Sequence, residues 1–393
     1  MRVIVIGAGI GGLAAALTLR RAGLDVQVFE QATELREVGA GIQISPNASR
    51  ILERLGLEQE MRRFGVRPRS VIFRRWDDGR ELARQPLVDA CERNFGAPYY
   101  HFHRAELLDL FSAAMPDGVL HLDHRCVELT QHSDRVEVQF HNGATADADV
   151  VVGADGIHST VRKAIMGPES PRFSGHVAYR GLVPADRVAH LGVEVAAIAW
   201  WGPGHHFVHY YVGAGARYHN WVAVTPGEWR VESWTAKGEV ADALKEFEGW
   251  HPQVRAIIGA VETTNRWALY DRDPLARWTV GRVTLMGDAA HPMLPYMAQG
   301  AVQSIEDAAV LAKCLEHADA HDVDAALARY EQTRKPRASR CQEGSRRNGV
   351  MYHLADGHDQ QKRDANLATS ATAPLPQNEW LYGHDVEAEF AQS

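Results

Sequence analysis

The chain has 393 residues, of which 45% are hydrophobic and 23% charged, and it carries a net charge of -8. That acidic balance argues against a nucleic-acid partner, which needs a basic face, and no apolar run is long enough to suggest a membrane span. Cys91, Cys126, Cys314 and Cys341 share no CxxC spacing, so neither a zinc site nor a disulfide framework is expected and a cytoplasmic setting fits.

In chain order, Arg2–Ile6 reads as a strand, Gly12–Arg21 as a helix and Val26–Glu30 as a second strand, a βαβ unit at the N-terminus. Between the first two lies Gly7-Ala8-Gly9-Ile10-Gly11-Gly12. A signal peptide can share this hydropathy, but the regular glycines and the charged end at Arg20 and Arg21 favour a nucleotide-binding turn. Gly7 allows the tight turn, Gly9 lets the backbone approach a pyrophosphate, and Gly12 lets helix and strand pack closely. Glu30, about twenty residues on, sits where an acid accepts hydrogen bonds from an adenosine ribose. The motif indicates a dinucleotide without saying which.

Asn47–Leu55 and Arg104–Ala114 read as helices, and Val119–Leu122 and Arg135–Phe140 as antiparallel strands. Asp149–Val152 and Val283–Met286 are apolar runs leading into Gly153-Ala154-Asp155-Gly156 and Gly287-Asp288-Ala289-Ala290-His291-Pro292. Each turn places an aspartate at a strand C-terminus, where open α/β sheets bind ligands. Residues 175–225 are dense in aromatics and histidines at strand-like spacing, as expected for a sheet facing a pocket. Gln303–Leu315 and the Arg-rich stretch Ala325–Arg347 read as helices, and Ala371–Pro376 as a linker to a short tail.

Within His205–Tyr211, alternate side chains share a face, pairing His206 with Tyr210 and His205 with His209. Residues four apart in a strand lie about 13 Å apart, so no metal site is expected. His205 and His209 read as structural. His206 and Tyr210 read either as substrate ligands with a proton acceptor or as sheet aromatics satisfied by neighbours, and spacing alone leaves both open. His291 reads as a loop element near the cofactor.

The order and spacing of the three glycine–aspartate fingerprints resemble the single-component flavoprotein aromatic hydroxylases, the family of 4-hydroxybenzoate, salicylate and 6-hydroxynicotinate hydroxylases. The resemblance implies an α/β (α+β) fold in which a Rossmann-like FAD-binding domain (1–75, 101–172, 276–370) interleaves with a mixed-sheet substrate domain (76–100, 173–275), with C-terminal helices and a tail (371–393). It implies FAD held by Gly7, Gly9, Gly11, Gly12, Glu30, Gln31, Gln43, Arg104, Asp155, Asp288, Pro295, Gly300 and Ala301. With no second GxGxxG motif, NADH or NADPH is expected to dock transiently, with the Asp155-Gly156 pair serving both dinucleotides.

Gly39-Ala40-Gly41-Ile42, Pro46-Asn47, Trp200-Trp201, Met297–Ala301, Ile305–Ala309 and Tyr382-Gly383 are most similar to the 6-hydroxynicotinate 3-monooxygenase branch. The resemblance implies a substrate pocket of Gln43, Ala197, His206, Tyr210 and Tyr296, with His206 and Tyr210 catalytic. Gln43 and Tyr296 stand where that branch has histidines and Ala197 where it has a cysteine, which points to a different ring or substituent pattern in the substrate. The implied reaction is hydroxylation of a small aromatic or pyridine acid by O2 and NAD(P)H, with or without loss of carbon dioxide, in a monomer or homodimer. Salicylate-type or 3-hydroxybenzoate-type hydroxylation, a flavin oxidase or dehydrogenase, and a non-catalytic flavin sensor are the competing readings.

Overall fold

The computed structural model describes residues 1–35, 40–231, 236–319, 321–370 and 376–391; Gly39 and the linker residues 371–375 lie outside them. Its architecture rests on two large sheets. The first has six strands in the order Thr279–Val280, Val283–Leu285, Val150–Gly153, Arg2–Ile6, Asp25–Phe29 and Leu120–His121. All pairings are parallel except the outermost one at Thr279–Val280. Its central strands are apolar on both faces, with Val3–Val5 and Val150–Val152 buried, as a parallel sheet covered on both sides requires.

Register then does the positioning. Ile6 pairs with Gly153, and Gly153 with Leu285, so the three turns that follow these strands emerge side by side at one edge. Helix Ile10–Arg21 covers the sheet and packs on helix Gly300–Leu315, where the Thr18 hydroxyl donates to the Ala308 carbonyl at 3.0 Å.

The second sheet has eight strands, ordered Lys237–Gly238, Thr264–Asp271, Arg172–Pro184, Tyr218–Pro226, His205–Val212, Ala197–Gly202, Ser70–Arg75 and Glu81–Pro86. It is antiparallel except where Ala197–Gly202 runs parallel to Ser70–Arg75. Helices Val240–Glu246 and Pro252–Gly259 cover one face over a core that includes Trp200, Phe207, Trp221 and Phe247. A ribbon pairing Gly41–Ile44 with Tyr100–His103 joins the two sheets, and Asn220 accepts from the Gly41 amide at 2.7 Å.

Two expectations change. Leu120–His121 pairs in parallel with Asp25–Phe29 at the edge of the first sheet, whereas Val136–Phe140 lies in a separate three-stranded sheet. Alternation marks both segments as strands but does not encode the partner. Ser70–Arg75, grouped with the first FAD-binding segment in the sequence reading, pairs within the substrate-side sheet. The Arg-rich stretch forms one helix, Val323–Tyr352, continuous through Pro336.

Candidate active site

The first turn is built by sterics. Gly7 has φ 105°, a left-handed conformation that favours glycine. A side chain on Gly12 would place its Cβ 1.9 Å from the Gly7 carbonyl oxygen, so the helix approaches the strand only without one. Gly9 is different: a Cβ there would meet no protein atom within 4 Å, because that side faces open cleft. Glu30 holds the turn, its carboxylate accepting from the Ala8 amide at 2.7 Å and the Ala32 amide at 2.9 Å.

Two cavities meet along this edge. One, of ≈ 270 Å³, is walled by Gly7, Gly9, Glu30, Gln31, Asp155 and Gly156. The other, of ≈ 380 Å³, begins at Gly9 and Gly11 and passes Arg104, Asp288, Pro295, Gly300 and Ala301. Gly9, Ala154 and Gly156 line both, so the cleft is one backbone-rich trough. Its far bank is the N-terminus of helix Gly300–Leu315, where a Cβ on Gly300 would find only the Asp288 carboxylate, at 4.0 Å. Free helix N–H groups on both banks suit phosphate and an electron-rich ring edge. The residues fit an extended dinucleotide such as FAD.

The two aspartates differ. Asp155 turns its carboxylate onto its own loop, accepting from the Ser159 hydroxyl and from the amides of Thr160 (2.7 Å) and Val161 (3.1 Å). It caps helix Thr160–Met166 while its backbone lines the cleft. Asp288 presents its carboxylate to the cleft; enclosure raises its pKa, opposed by the charges of His291 and Arg104.

Beyond Pro295 the larger cavity continues over the eight-stranded sheet, where Gln43, Arg180, His206, Tyr210 and Trp267 form its wall. Alternation on strand His205–Val212 turns His206 and Tyr210 inward. His205 and His209 turn to the opposite face, where the Trp200 indole donates to His209 at 3.0 Å and His209 meets His219 at 2.9 Å. The Tyr99 hydroxyl donates to Gln43 Oε1 at 2.6 Å, and Gln43 in turn hydrogen-bonds Tyr210. Burial raises the Tyr210 hydroxyl and holds the His206 imidazole well below its usual pKa, so both are neutral.

Two expected pocket residues are not on the wall. Tyr296 follows Pro295 in a tight turn that points its ring behind His206, edge-on at 5.2 Å. Ala197, beside the Ile198–His209 pair, is buried in the sheet short of the cavity. Gly12 likewise serves packing and not the wall.

Sequence reasoning missed Arg180, whose guanidinium stands 3.9 Å from the centre of the Trp267 ring. An arginine in the otherwise uncharged, mostly apolar run Val177–Val183 was the available signal. It also missed the support beneath the Gly287 turn. Asp307 accepts from the Gly287 amide (2.9 Å), meets His291 (2.6 Å) and accepts from Arg334 (2.8 Å). Glu306 pairs with Arg334 (2.6 Å) and Arg337 (2.7 Å) and accepts from Asn47. Burial alone would raise both carboxyls; the facing cations outweigh it and hold each at about 2. Among the described residues no metal-binding cluster occurs and no helix is long and apolar enough to cross a membrane.

Residues 1–345 match the family model described as FAD binding domain. The chain is 44% identical to a 3-amino-4-hydroxybenzoate 2-monooxygenase of Streptomyces platensis over 98% of this chain and 96% of that protein. It is 37% identical to a 6-hydroxynicotinate 3-monooxygenase of Bordetella bronchiseptica, over 99% and 96%. A solved salicylate hydroxylase substrate complex superposes with a TM-score of 0.85 at 27% identity, covering 100% of this chain and 97% of that one.

Proposed function

Since this chain belongs to the FAD binding domain family and is a flavoprotein monooxygenase, we propose that it hydroxylates a small amino- or hydroxy-substituted benzoate. One observation carries the substrate class: the cavity opposes a cation and a neutral base at the end of the dinucleotide trough. Arg180 is in register with Val222, and Val222 with Val208 between His206 and Tyr210. Two strand spacings, roughly 10 Å, separate these rows on one face of the sheet.

FAD, which Gly9, Glu30, Asp288 and the Gly300 helix end would hold, would supply the oxygen atom, drawn from O2 with NADH or NADPH as reductant. The chain's own residues do the rest. Arg180 receives the carboxylate, its charge-assisted hydrogen bonds fixing ring orientation. His206 accepts the ring hydroxyl proton, which makes the ring more nucleophilic, and Tyr210, steadied by Gln43, orients that hydroxyl. Val208, Val222, Val224 and Leu294 line the remainder and keep water out. Oxygen enters a ring carbon bearing hydrogen, as position 2 does in the substrate that names the aminohydroxybenzoate relative, where the neighbouring amino group is the ortho activator and the hydroxyl is meta. Buried free thiols at all four cysteines suit a reducing cytoplasm, where we place the enzyme as a monomer or homodimer.

The test is NADH and NADPH consumption by the FAD-loaded protein against 3-amino-4-hydroxybenzoate, 3-hydroxybenzoate, salicylate and 6-hydroxynicotinate, alongside their neutral amides. An acid that stimulates turnover in the wild type and loses that advantage over its amide in Arg180→Gln supports the reading. Equal stimulation by acid and amide in the wild type would overturn the assignment of Arg180. Stimulation by none would remove the hydroxybenzoate claim.

A further inference from the structure

His206 is one end of a chain of imidazoles. It lines the cavity, but its Nδ1 lies 2.6 Å from Nε2 of His353, the residue that follows helix Val323–Tyr352. With Nδ1 engaged, the other ring nitrogen, Nε2, is the one left to meet a ligand. His353 is well fixed. Its carbonyl accepts from the Gly204 amide at 3.0 Å, and the preceding Tyr352 donates to the Tyr296 carbonyl at 2.8 Å. The two rings meet edge to edge with centroids 4.9 Å apart, and the half-buried His176 ring lies 4.5 Å from His353. Among the described residues, Nδ1 of His353 is buried with no hydrogen-bond partner. The row runs from the cavity wall outward to partly exposed side chains.

From this geometry we infer that His353 is the outer half of a two-imidazole relay that carries the substrate's hydroxyl proton out of the closed cavity. The inference rests on His206 as the base. The hydroxyl proton moves to Nε2 of His206 as the Nδ1 proton of His206 moves to Nε2 of His353. The Nδ1 proton of His353 then passes to solvent water that reaches this buried nitrogen beside the half-buried His176 ring. One proton has gone from cavity to surface, both rings end neutral with their tautomers exchanged, and the substrate is an aryloxide. Run backwards, the same path protonates the product and restores the tautomers. The relay answers a physical difficulty: burial keeps His206 from retaining a proton, so a base there works only by passing it on.

His353→Gln separates relay from support, because a glutamine oxygen can accept from His206 Nδ1 but passes no proton through. Holoenzyme in weak buffer is mixed with 3-amino-4-hydroxybenzoate, and proton release is followed with an indicator dye while binding is read from the flavin spectrum. The relay predicts near-normal binding, release slowed at least about tenfold in both His353→Gln and His353→Ala, and recovery of the alanine variant by added imidazole. Release at the wild-type rate in His353→Gln would overturn it and leave His353 a structural residue. If the wild type binds the acid without releasing a proton, the base role of His206 fails and the relay goes with it.

Discussion

The two sheets differ in the titratable side chains packed around their cavities. Beneath the dinucleotide cleft, Arg334, Arg337, Glu306 and Asp307 are buried as ions, each facing its opposite. In and beneath the eight-stranded sheet, besides Arg180 and the ion-paired Asp271, stand five imidazoles, His101, His206, His209, His219 and His353, all held below their usual pKa by burial. The difference follows from what each region holds. A turn that cradles a fixed phosphate-bearing cofactor needs one rigid geometry, and a closed ionic network fixes backbone such as the Gly287 amide. A cavity that takes up and passes on a proton needs groups that are neutral at rest and close to changing state.

The largest effect should come from breaking the ionic side. Arg334→Met leaves Glu306 and Asp307 short of their main counter-charge in a buried site, with an expected loss of about 3–5 kcal/mol. Chemical denaturation and FAD retention measure it; a loss near zero would mean that Arg337 and His291 suffice and the contrast is overstated.

The glycine turn gives the next test. Gly12→Ala clashes with the Gly7 carbonyl and should abolish both folding of the turn and the yellow colour. Gly9→Ala meets no protein atom, so it should melt like the wild type yet bind FAD at least about tenfold more weakly, roughly 1.4 kcal/mol. Unchanged FAD affinity in Gly9→Ala would displace the pyrophosphate from this turn.

Acid separates the two regions directly. The imidazoles have folded pKa values depressed below 6.5, to about 3 for His101 and about 4 for His219. The unfolded chain therefore binds more protons, and their contribution is complete above pH 6.5 and declines as pH falls toward those values. Glu306 and Asp307, at about 2 against ordinary values of 4.5 and 3.8, begin to lose theirs only in stronger acid. Stability should thus fall first between pH 6.5 and 4.5, and His219→Gln should make that fall shallower, by about 1 kcal/mol per pH unit. A flat profile there, with all loss in strong acid, would assign the acid sensitivity to the carboxylates instead. The smallest effect belongs to Tyr99→Phe, which frees Gln43 and should raise KM about threefold with little change in kcat.

The same contrast explains what could be read from the chain. Gly7, Gly12, Asp155 and Asp288 mark strand ends, and because a parallel sheet brings those ends to one edge, the cleft is legible from spacing. The inward face of His206 and Tyr210 follows from period-two alternation. Partners do not. That Asp155 caps its own helix, that Tyr296 turns behind His206, and that His353 arrives from a helix 147 positions away depend on tertiary packing that no local pattern encodes. Arg180 was readable only as a charge out of place in an apolar run. Glu306 and Asp307 stood in a noted helix motif, but their cations lie one helix further along.

The most direct test of the account supplies isotopically labelled O2 to the FAD-loaded enzyme with NADH and 3-amino-4-hydroxybenzoate, and reads the product by mass spectrometry. The account predicts a product that has gained one labelled oxygen atom and kept its carboxylate, formed in step with NADH consumption. NADH consumed with all the label recovered as hydrogen peroxide, for this acid and for every other acid in the panel, would contradict it.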